Sequence, residues 1–301
     1  MKNNTVCVLG SINADYVIQV PYFAQAGETL QGRDFQLAYG GKGANQAVAA
    51  SRLGAKVQFI SAIGSDQIGQ TMKQAFTDEG IDTSSIVSIP NQSTGLAMIQ
   101  VADNGENSIV ISAGANADLN VNFVECYRDK IEQASILLVQ LETPLPTVEF
   151  AIKLAKGSGT KVVLNPAPAS RLPDTLLSQV DIITPNESET EILTGVKVID
   201  EQAAVQAANI FHQKGIGTVI ITLGAKGVYL SENGKGKMIA GFRVKAVDST
   251  AAGDTFNGGL VAALLSRKSL EEAIAFAQKA ASISVTRKGA QTSIPKKSEI
   301  E

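Results

Sequence analysis

The chain has no tryptophan, a single histidine and two cysteines among 301 residues, and each shortage closes off a kind of chemistry. One histidine leaves little room for a Ser-His-Asp hydrolase, and neither G-x-S-x-G nor H-E-x-x-H occurs. That residue, His212, stands near the end of an amphipathic stretch over 203–214, just before Gly215, where a helix-capping role is the simplest reading. Cys7 and Cys126 are too few and too far apart for a disulfide framework or a cysteine-rich zinc site. Cys7 lies in a strand-like run, so buried thiols in a cytoplasmic protein are expected. Charge of one sign is also missing: 26 basic side chains face 29 acidic ones, for a net charge of −3. No dense Lys/Arg block appears apart from Lys296-Lys297, which argues against nucleic acid as the main partner. The apolar run over 5–10 is far shorter than a signal-peptide core, and no segment is long enough to span a membrane. What remains for chemistry is carboxylates, lysine, asparagine and backbone groups.

What is present is an ordinary globular composition, 44% hydrophobic and 18% charged, long enough for one large α/β domain or two small ones. A buried strand over 5–9 is followed by alternating segments at 15–20 and 28–38, which read as exposed strands outside a central sheet. The segment 40–46 then opens an Ala-rich helix that runs to Arg52-Leu53 and stops at Gly54, with a strand over 57–63 and a helix over 67–79 behind it. The runs 86–89, 95–101 and 108–112 form a second all-β patch. Beyond it strands and helices alternate, with strands over 136–141, 161–164, 182–184 and 218–222 and helices over 145–156, 187–194 and 203–214. Strands over 227–231 and 238–244 and helices over 255–265 and 270–287 complete the chain. Such alternation predicts a mainly parallel sheet with helices on both faces. No repeat, low-complexity tract or long linker divides the chain, so one domain over 1–301 is expected, with a β insertion.

The motifs sit after strand ends. In Asp248-Ser249-Thr250-Ala251-Ala252-Gly253-Asp254 a small-residue turn hands over to an apolar helical run, so Asp254 falls near a helix N-terminus whose free N–H groups make an anion hole. A carboxylate there can take a proton from a hydroxyl while the amides hold phosphate charge; taken alone, it can equally be a helix cap. Gly40-Gly41-Lys42-Gly43-Ala44-Asn45 opens a helix with Lys42 and Asn45 on one face. It is neither a Walker A loop nor a complete dinucleotide fingerprint, and by itself it is open between a tight turn and a ligand loop. Asn13 and Asp15 share a side if extended, or belong to a turn. Glu142 ends an apolar strand, and Asn186 and Glu189 follow another, where a cap accounts for Asn186 but not for an acid-rich first turn. Thr222-Leu223-Gly224-Ala225-Lys226-Gly227 joins two strands through a glycine loop that suits a nucleotide or is only a turn. Their shared position after strand ends points to one crevice.

Two long signatures at opposite ends, Gly-Gly-Lys-Gly-Ala-Asn-Gln-Ala-Val-Ala at 40–49 and Asp-Ser-Thr-Ala-Ala-Gly-Asp-Thr-Phe-Asn-Gly at 248–258, make the chain resemble the ribokinase-like carbohydrate kinases over nearly its whole length. Asn-x-x-Glu at 186–189 and Thr-Arg-Lys-Gly-Ala-Gln at 286–291 add to the match. The resemblance implies a ribokinase-like α/β fold and ATP-dependent phosphorylation of the 5-hydroxyl of D-ribose. Asp254 would be the base, within an anion hole of Ala251, Ala252 and Gly253, and Asn13, Asp15, Gly41, Lys42, Asn45 and Glu142 would hold the sugar. Asn186, Gly253 and the segment Thr222, Leu223, Gly224, Ala225, Lys226 and Gly227 would contact ATP, and Glu189 would organise Mg²⁺ through water. Asp248, Thr250, Ser284, Arg287, Gly289 and Ser293 would hold an activating K⁺, largely through backbone oxygens. The β patches, about 15–39 and 86–112, would form a lid that pairs two subunits into a homodimer. A sister sugar or nucleoside kinase acting on another hydroxymethyl group is the nearest alternative, although a nucleoside calls for aromatic stacking that this chain scarcely offers. A non-catalytic sugar-binding module is the alternative of another class.

Overall fold

The computed structural model describes residues 2–300. Its first strand, β1 (Asn3–Leu9), lies inside a nine-stranded sheet. Every side chain from Val6 to Leu9 is buried, because alternate residues serve opposite faces: Val6 and Val8 join one core and Cys7 and Leu9 the other. The chain then leaves this sheet for β2 (Asn13–Val20) and β3 (Arg33–Gly40), and returns through α1 (Lys42–Arg52), β4 (Val57–Gly64) and α2 (Gln67–Asp78). β5 (Ile86–Ile89) precedes a second excursion, β6 (Gly95–Ala102) and β7 (Asn107–Ser112). Two short helices, α3 (Val121–Glu125) and α4 (Arg128–Gln133), lead to β8 (Ala134–Val139), α5 (Leu145–Ser158), β9 (Lys161–Leu164), α6 (Asp174–Leu177) and β10 (Ile182–Ile183). Then follow α7 (Glu187–Thr194), α8 (Glu201–Gln213), β11 (Thr218–Thr222), β12 (Gly227–Glu232), β13 (Lys235–Ala240), α9 (Ala252–Leu265) and α10 (Leu270–Ser284).

The large sheet runs β13-β12-β11-β10-β9-β8-β1-β4-β5, parallel from β11 to β5, with β12 and β13 antiparallel at one edge. Helices α1, α9 and α10 cover one face and α5 and α8 the other, so two cores sandwich the sheet. A smaller sheet, β3-β2-β6-β7, stands apart. These features are the ribokinase-like α/β architecture expected from sequence.

Details differ. The run 86–89, expected in the outlying β patch, is β5 of the large sheet and pairs in parallel with β4, with Ser61 opposite Ile86. Burial decides this: Ile86 and Ile89 enter the core, whereas all of β7 is exposed. The strand expected over 28–38 pairs only from Arg33 onward, and β13 stops at Ala240 instead of continuing to residue 244. His212 is more than a cap, since its ring bridges the carbonyl of Ile216 and the hydroxyl of Ser231 on β12 (2.7 and 2.8 Å).

Helix α9 is wedged between α1 and α10 at backbone distance. A Cβ on Gly258 would lie 2.4 Å from the Ala49 Cβ, and one on Gly259 would lie 3.1 Å from the Ala277 Cα. The start of α1 is held as closely to the end of β1. Ala44 N donates to Ser11 O (2.9 Å), and a Cβ on Gly43 would sit 2.5 Å from Gly10 C and Ser11 N. Gly43→Val therefore forces the helix off the strand. We expect a loss of about 1–3 kcal/mol or more, the usual scale for overpacking, read as a lower urea midpoint at unchanged m-value; an unaltered midpoint would show that the α1 start is not held there.

Candidate active site

Because the strands from β11 to β5 are parallel, their carboxyl ends open on one edge of the sheet, and the turns after β1, β8, β9, β10 and β11 gather there. Helix α9 begins at the same edge. Ala251, in the left-handed conformation (φ 58°, ψ 15°), turns the chain into the helix. The N–H of Ala252 is already bonded to Ser249 O (3.2 Å), and that of Thr255 to Ala251 O (2.8 Å). The first-turn amides of Gly253 and Asp254 are the ones that a helix leaves without an internal acceptor. A Cβ on Gly253 would meet no protein atom within 4 Å, so this turn borders open space.

Asp254 is buried, and both of its oxygens are held by α1. Asn45 Nδ2 donates to Oδ2 (3.0 Å) and Gln46 Nε2 donates to Oδ1 (2.9 Å). Burial pushes its carboxyl pKa upward, the charge of Lys42 and the Gln46 and Asn45 hydrogen bonds pull it back, and Glu142 adds to the rise. Lys42 also acts on Glu189, whose own pKa is raised chiefly by burial, with Asp254 contributing. The residues from the two ends of the chain thus face one space. Gln46 belongs to the glycine-loop signature without being assigned a role by sequence, and Asn165 and Thr184 are further strand-end polar residues around Asp254 that belong to no motif.

On one side lie the residues expected to hold sugar. Glu142 Oε2 accepts from Lys42 N (2.9 Å) and from Ser11 Oγ (2.5 Å), supplying the side-chain cap that the α1 N-cap residue, Gly41, lacks. Gly41 has φ 89°, and a Cβ there would lie 2.8 Å from Asn13 N, so the loop passes directly against the link from β1 to β2. Asn13 Oδ1 accepts from Asn116 Nδ2 (2.9 Å), while Asn116 also bonds the backbone N and O of Ile12 (both 2.9 Å). Asp15 lies on the small sheet against Gly40, its pKa pushed up to about 7 by burial and then by Glu142.

On the other side is a cleft of about 520 Å³. Asn186 and Thr222 are joined by a parallel bridge at its edge, where Thr222 N donates to Pro185 O (2.9 Å). Asn186, Thr222, Gly224, Ala225, Gly227 and Gly253 line it, whereas the Leu223 side chain is buried in the core and Lys226 pairs with Glu187 (3.4 Å). Glu189 closes a capping box with Asn186, accepting from its backbone N and its Nδ2 (both 2.9 Å). The apolar wall, with Phe242, Val244, Ala281 and Val285, and the buried Gln278 belong to none of the sequence motifs. Gln278 has neither amide atom partnered by protein. Its position on the buried stripe of α10, with Ile274 and Ala277, is the signal that sequence offered for it.

Behind the anion hole, the Asp248 Oδ1 accepts from Thr250 N and Oγ1 (2.9 and 2.6 Å) and its Oδ2 from Gly289 N (2.8 Å). Burial opposes its ionisation, yet these bonds hold its pKa below the usual carboxylate range. Val247 N and Asp248 N both donate to Val285 O, so residues 247–250 and 284–289 form one knot. The hydroxyls of Ser284 and Ser293 donate to Ala281 O and Ala290 O, and the Arg287 guanidinium pairs with Glu299, so a backbone oxygen is all that Arg287 can offer an ion. Among the described residues, no group of three or more His, Cys, Asp or Glu is placed to hold a metal ion.

Comparison with known proteins identifies the family. The model of the pfkB family of carbohydrate kinases matches residues 3–297. The chain is 64% identical over 295 residues to the curated ribokinase of Haemophilus influenzae, covering 98% of this chain and 96% of that protein. It is 36% identical over 291 residues to the deoxyribokinase of Salmonella typhi, covering 96% and 95%. Among solved structures, Arabidopsis thaliana ribokinase complexed with ribose and ATP matches with a TM-score of 0.95 at 32% identity, over 100% of this chain and 98% of that one. The chain belongs to the pfkB family of carbohydrate kinases.

Proposed function

We propose that the protein transfers the γ-phosphoryl group of ATP to the 5-hydroxyl of D-ribose, with Asp254 as the base. The observation that carries the mechanism is the placement of a buried carboxylate, gripped by Asn45 and Gln46, in the first turn of α9, one residue after the Gly253 that lines the cleft. The identity to the Haemophilus ribokinase and the likeness to the ribose and ATP complex support the choice of substrates over the sister-kinase reading. A sugar-binding module without catalysis has no need of an acid beside an anion hole.

Asn13, Asp15, Gly41, Lys42, Asn45 and Glu142 hold the polyol, whose hydroxyls each need a short, fixed partner once desolvated. The nucleotide lies in the cleft, its base against the apolar wall and its phosphates toward Asn186 and Gly253. Asp254 takes the hydroxyl proton as the oxygen attacks, while the first-turn amides and Lys42 balance the phosphoryl charge. Glu189 would hold Mg²⁺ through water: its carboxylate faces Lys42 and Asp254 and lies beside Asn186, and a single acid suits an ion that keeps several of its waters. Bound there, Mg²⁺ would neutralise phosphate charge. The knot around Asp248 fits a monovalent cation better than a divalent one, since it offers one anion and otherwise backbone oxygens from Thr250, Ser284, Arg287, Gly289 and Ser293. Cys7 is buried as expected but Cys126 is exposed; as free thiols both fit a cytoplasmic setting, and no described helix is long and apolar enough to cross a membrane.

The small sheet is proposed as a lid within a single-domain chain. Its register places Leu37, Tyr16, Met98 and Val110 in one cross-strand row, on the face opposite Asp15. Val110 is 68% exposed and Met98 54%, an apolar face that a second copy of the chain would cover in a homodimer.

A coupled ADP-release assay with D-ribose tests the reaction. Asp254→Asn is expected to cut kcat by roughly two to four orders of magnitude, the scale of a lost general base, with ribose affinity by calorimetry nearly intact. Turnover at the parent rate would remove Asp254 from the role. The base must be ionised to act, so activity is lost as pH falls through its pKa. Because burial raises that pKa, the acid limb of kcat lies above the ordinary carboxylate range. Gly253→Ala should leave the melting temperature equal or higher, since alanine favours a helix by up to about 1 kcal/mol and the added methyl meets no protein atom. The same methyl intrudes on the phosphates, so KM for ATP should rise at least tenfold, and an unchanged KM would place the triphosphate elsewhere. Val110→Lys should convert a dimer into a monomer in light scattering after gel filtration; a parent protein of single-chain mass would sink the dimer.

A further inference from the structure

Gln46 is wholly buried and therefore out of reach of any sugar, yet it touches the proposed base. Its Oε1 accepts from Gln140 Nε2 (2.6 Å), which obliges its NH₂ group to face the other way. That NH₂ spends one N–H on Asp254 Oδ1 and the other on Asn165 Oδ1, both at 2.9 Å. From Asn165 the chain of bonds continues. Asn165 Nδ2 donates to Thr184 O (3.3 Å), Thr184 Oγ1 donates to Asn257 Oδ1 (2.6 Å), and Asn257 Nδ2 donates to Gly253 O (2.9 Å). The circuit begins at the Asp254 side chain and returns to the backbone of the residue before it. Each amide in the circuit has its orientation set by the next, so the side-chain oxygen and the anion-hole turn are fixed by one set of buried donors and acceptors.

We propose that Gln46 is a positioning residue for phosphoryl transfer, acting through Asp254: its amide holds Oδ1 and, through Asn165, Thr184 and Asn257, ties the carboxylate plane to the turn at Gly253. This rests on Asp254 being the base. Asn45 also grips the carboxylate, but it is expected to engage the sugar and Gln291 Nε2 already donates to its Oδ1 (3.2 Å). Gln46 answers only to protein.

A donor to a carboxylate favours the charged form, so its removal should raise the pH at which the base is lost. The charged and titratable groups that bear on Asp254 are Lys42 on α1, Glu142 after β8 and Glu189 on α7, and all three stay in place in the test. The Asp15 carboxyl, on the sugar side, is pushed up to about 7 by burial and by Glu142. Measuring kcat at saturating ribose separates the base from sugar capture.

In Gln46→Met the acid limb of kcat should move up by about one pH unit or more, the equivalent of losing one hydrogen bond to a charged group, with KM for ribose within about twofold. Gln46→Glu keeps the shape and still accepts from Gln140, but sets a carboxyl oxygen against Oδ1, and should move the limb further in the same direction. Thermal melts show whether each variant is folded. A residue that merely fills space would lower kcat equally at every pH, so a limb left in place in the folded variants overturns the proposal. Loss of the fold in both variants also overturns it and leaves Gln46 with a packing role. If Asp254→Asn keeps its activity, the base assignment fails; if Asp254→Asn is dead while the Gln46 limb stays put, only the positioning role fails.

Discussion

The grip of two side-chain amides on one buried carboxylate is the constraint to which the rest of the molecule answers. Asn45 and Gln46 lie 209 and 208 residues before Asp254 in the chain, so their bonds tie opposite ends of the sequence together at the site. An unpaired carboxylate would not tolerate such burial in its charged form. The amides, with Lys42 nearby, let the charge persist where water is scarce. They also require α1 and α9 to lie side by side, and small residues at their contact make that approach possible.

The same logic divides labour between the recesses. Glu142 caps α1 with one oxygen, so the helix that carries Lys42, Asn45 and Gln46 starts at a fixed point relative to β8. Asn13 is braced by Asn116, from the segment that follows the small sheet. Asp15, by contrast, stands on that sheet itself, and its charge is governed by burial and by Glu142 across the gap. The side proposed for the sugar is thus assembled from the large sheet's edge and a separate small sheet, whereas the side proposed for the nucleotide is a mostly apolar groove with an unpartnered amide, Gln278.

Much of this was legible in the residues. Parallel strands feeding helices place their carboxyl ends together, and that rule alone gathers Glu142, Asn186 and Thr222 into one crevice. The small-residue turn before Asp254 marks a helix start, and α9 begins within it at Ala252, three residues ahead of the expected 255. The strand-end rule, carried further, also points to Asn165 after β9 and Thr184 after β10, which belong to no motif. Gln46 was hidden by its neighbour: in a glycine loop the eye stops at Asn45, and nothing local says that the next amide turns inward. The assignment of 86–89 to the large sheet depends on pairing with β4, a contact that a four-residue apolar run cannot announce. The apolar groove wall suffers from the same defect, since Phe242 and Val285 meet only after folding.

The wedging of α9 between α1 and α10 has a mechanical consequence. With glycine meeting alanine at backbone distance on both flanks, these three helices have no slack in which to slide, and they behave as a single solid block under the large sheet. Any breathing that admits and releases a molecule must then be borne by thin connections elsewhere. As the proposed lid, the small sheet would be carried by four short connections, residues 10–12, 41, 90–94 and 113.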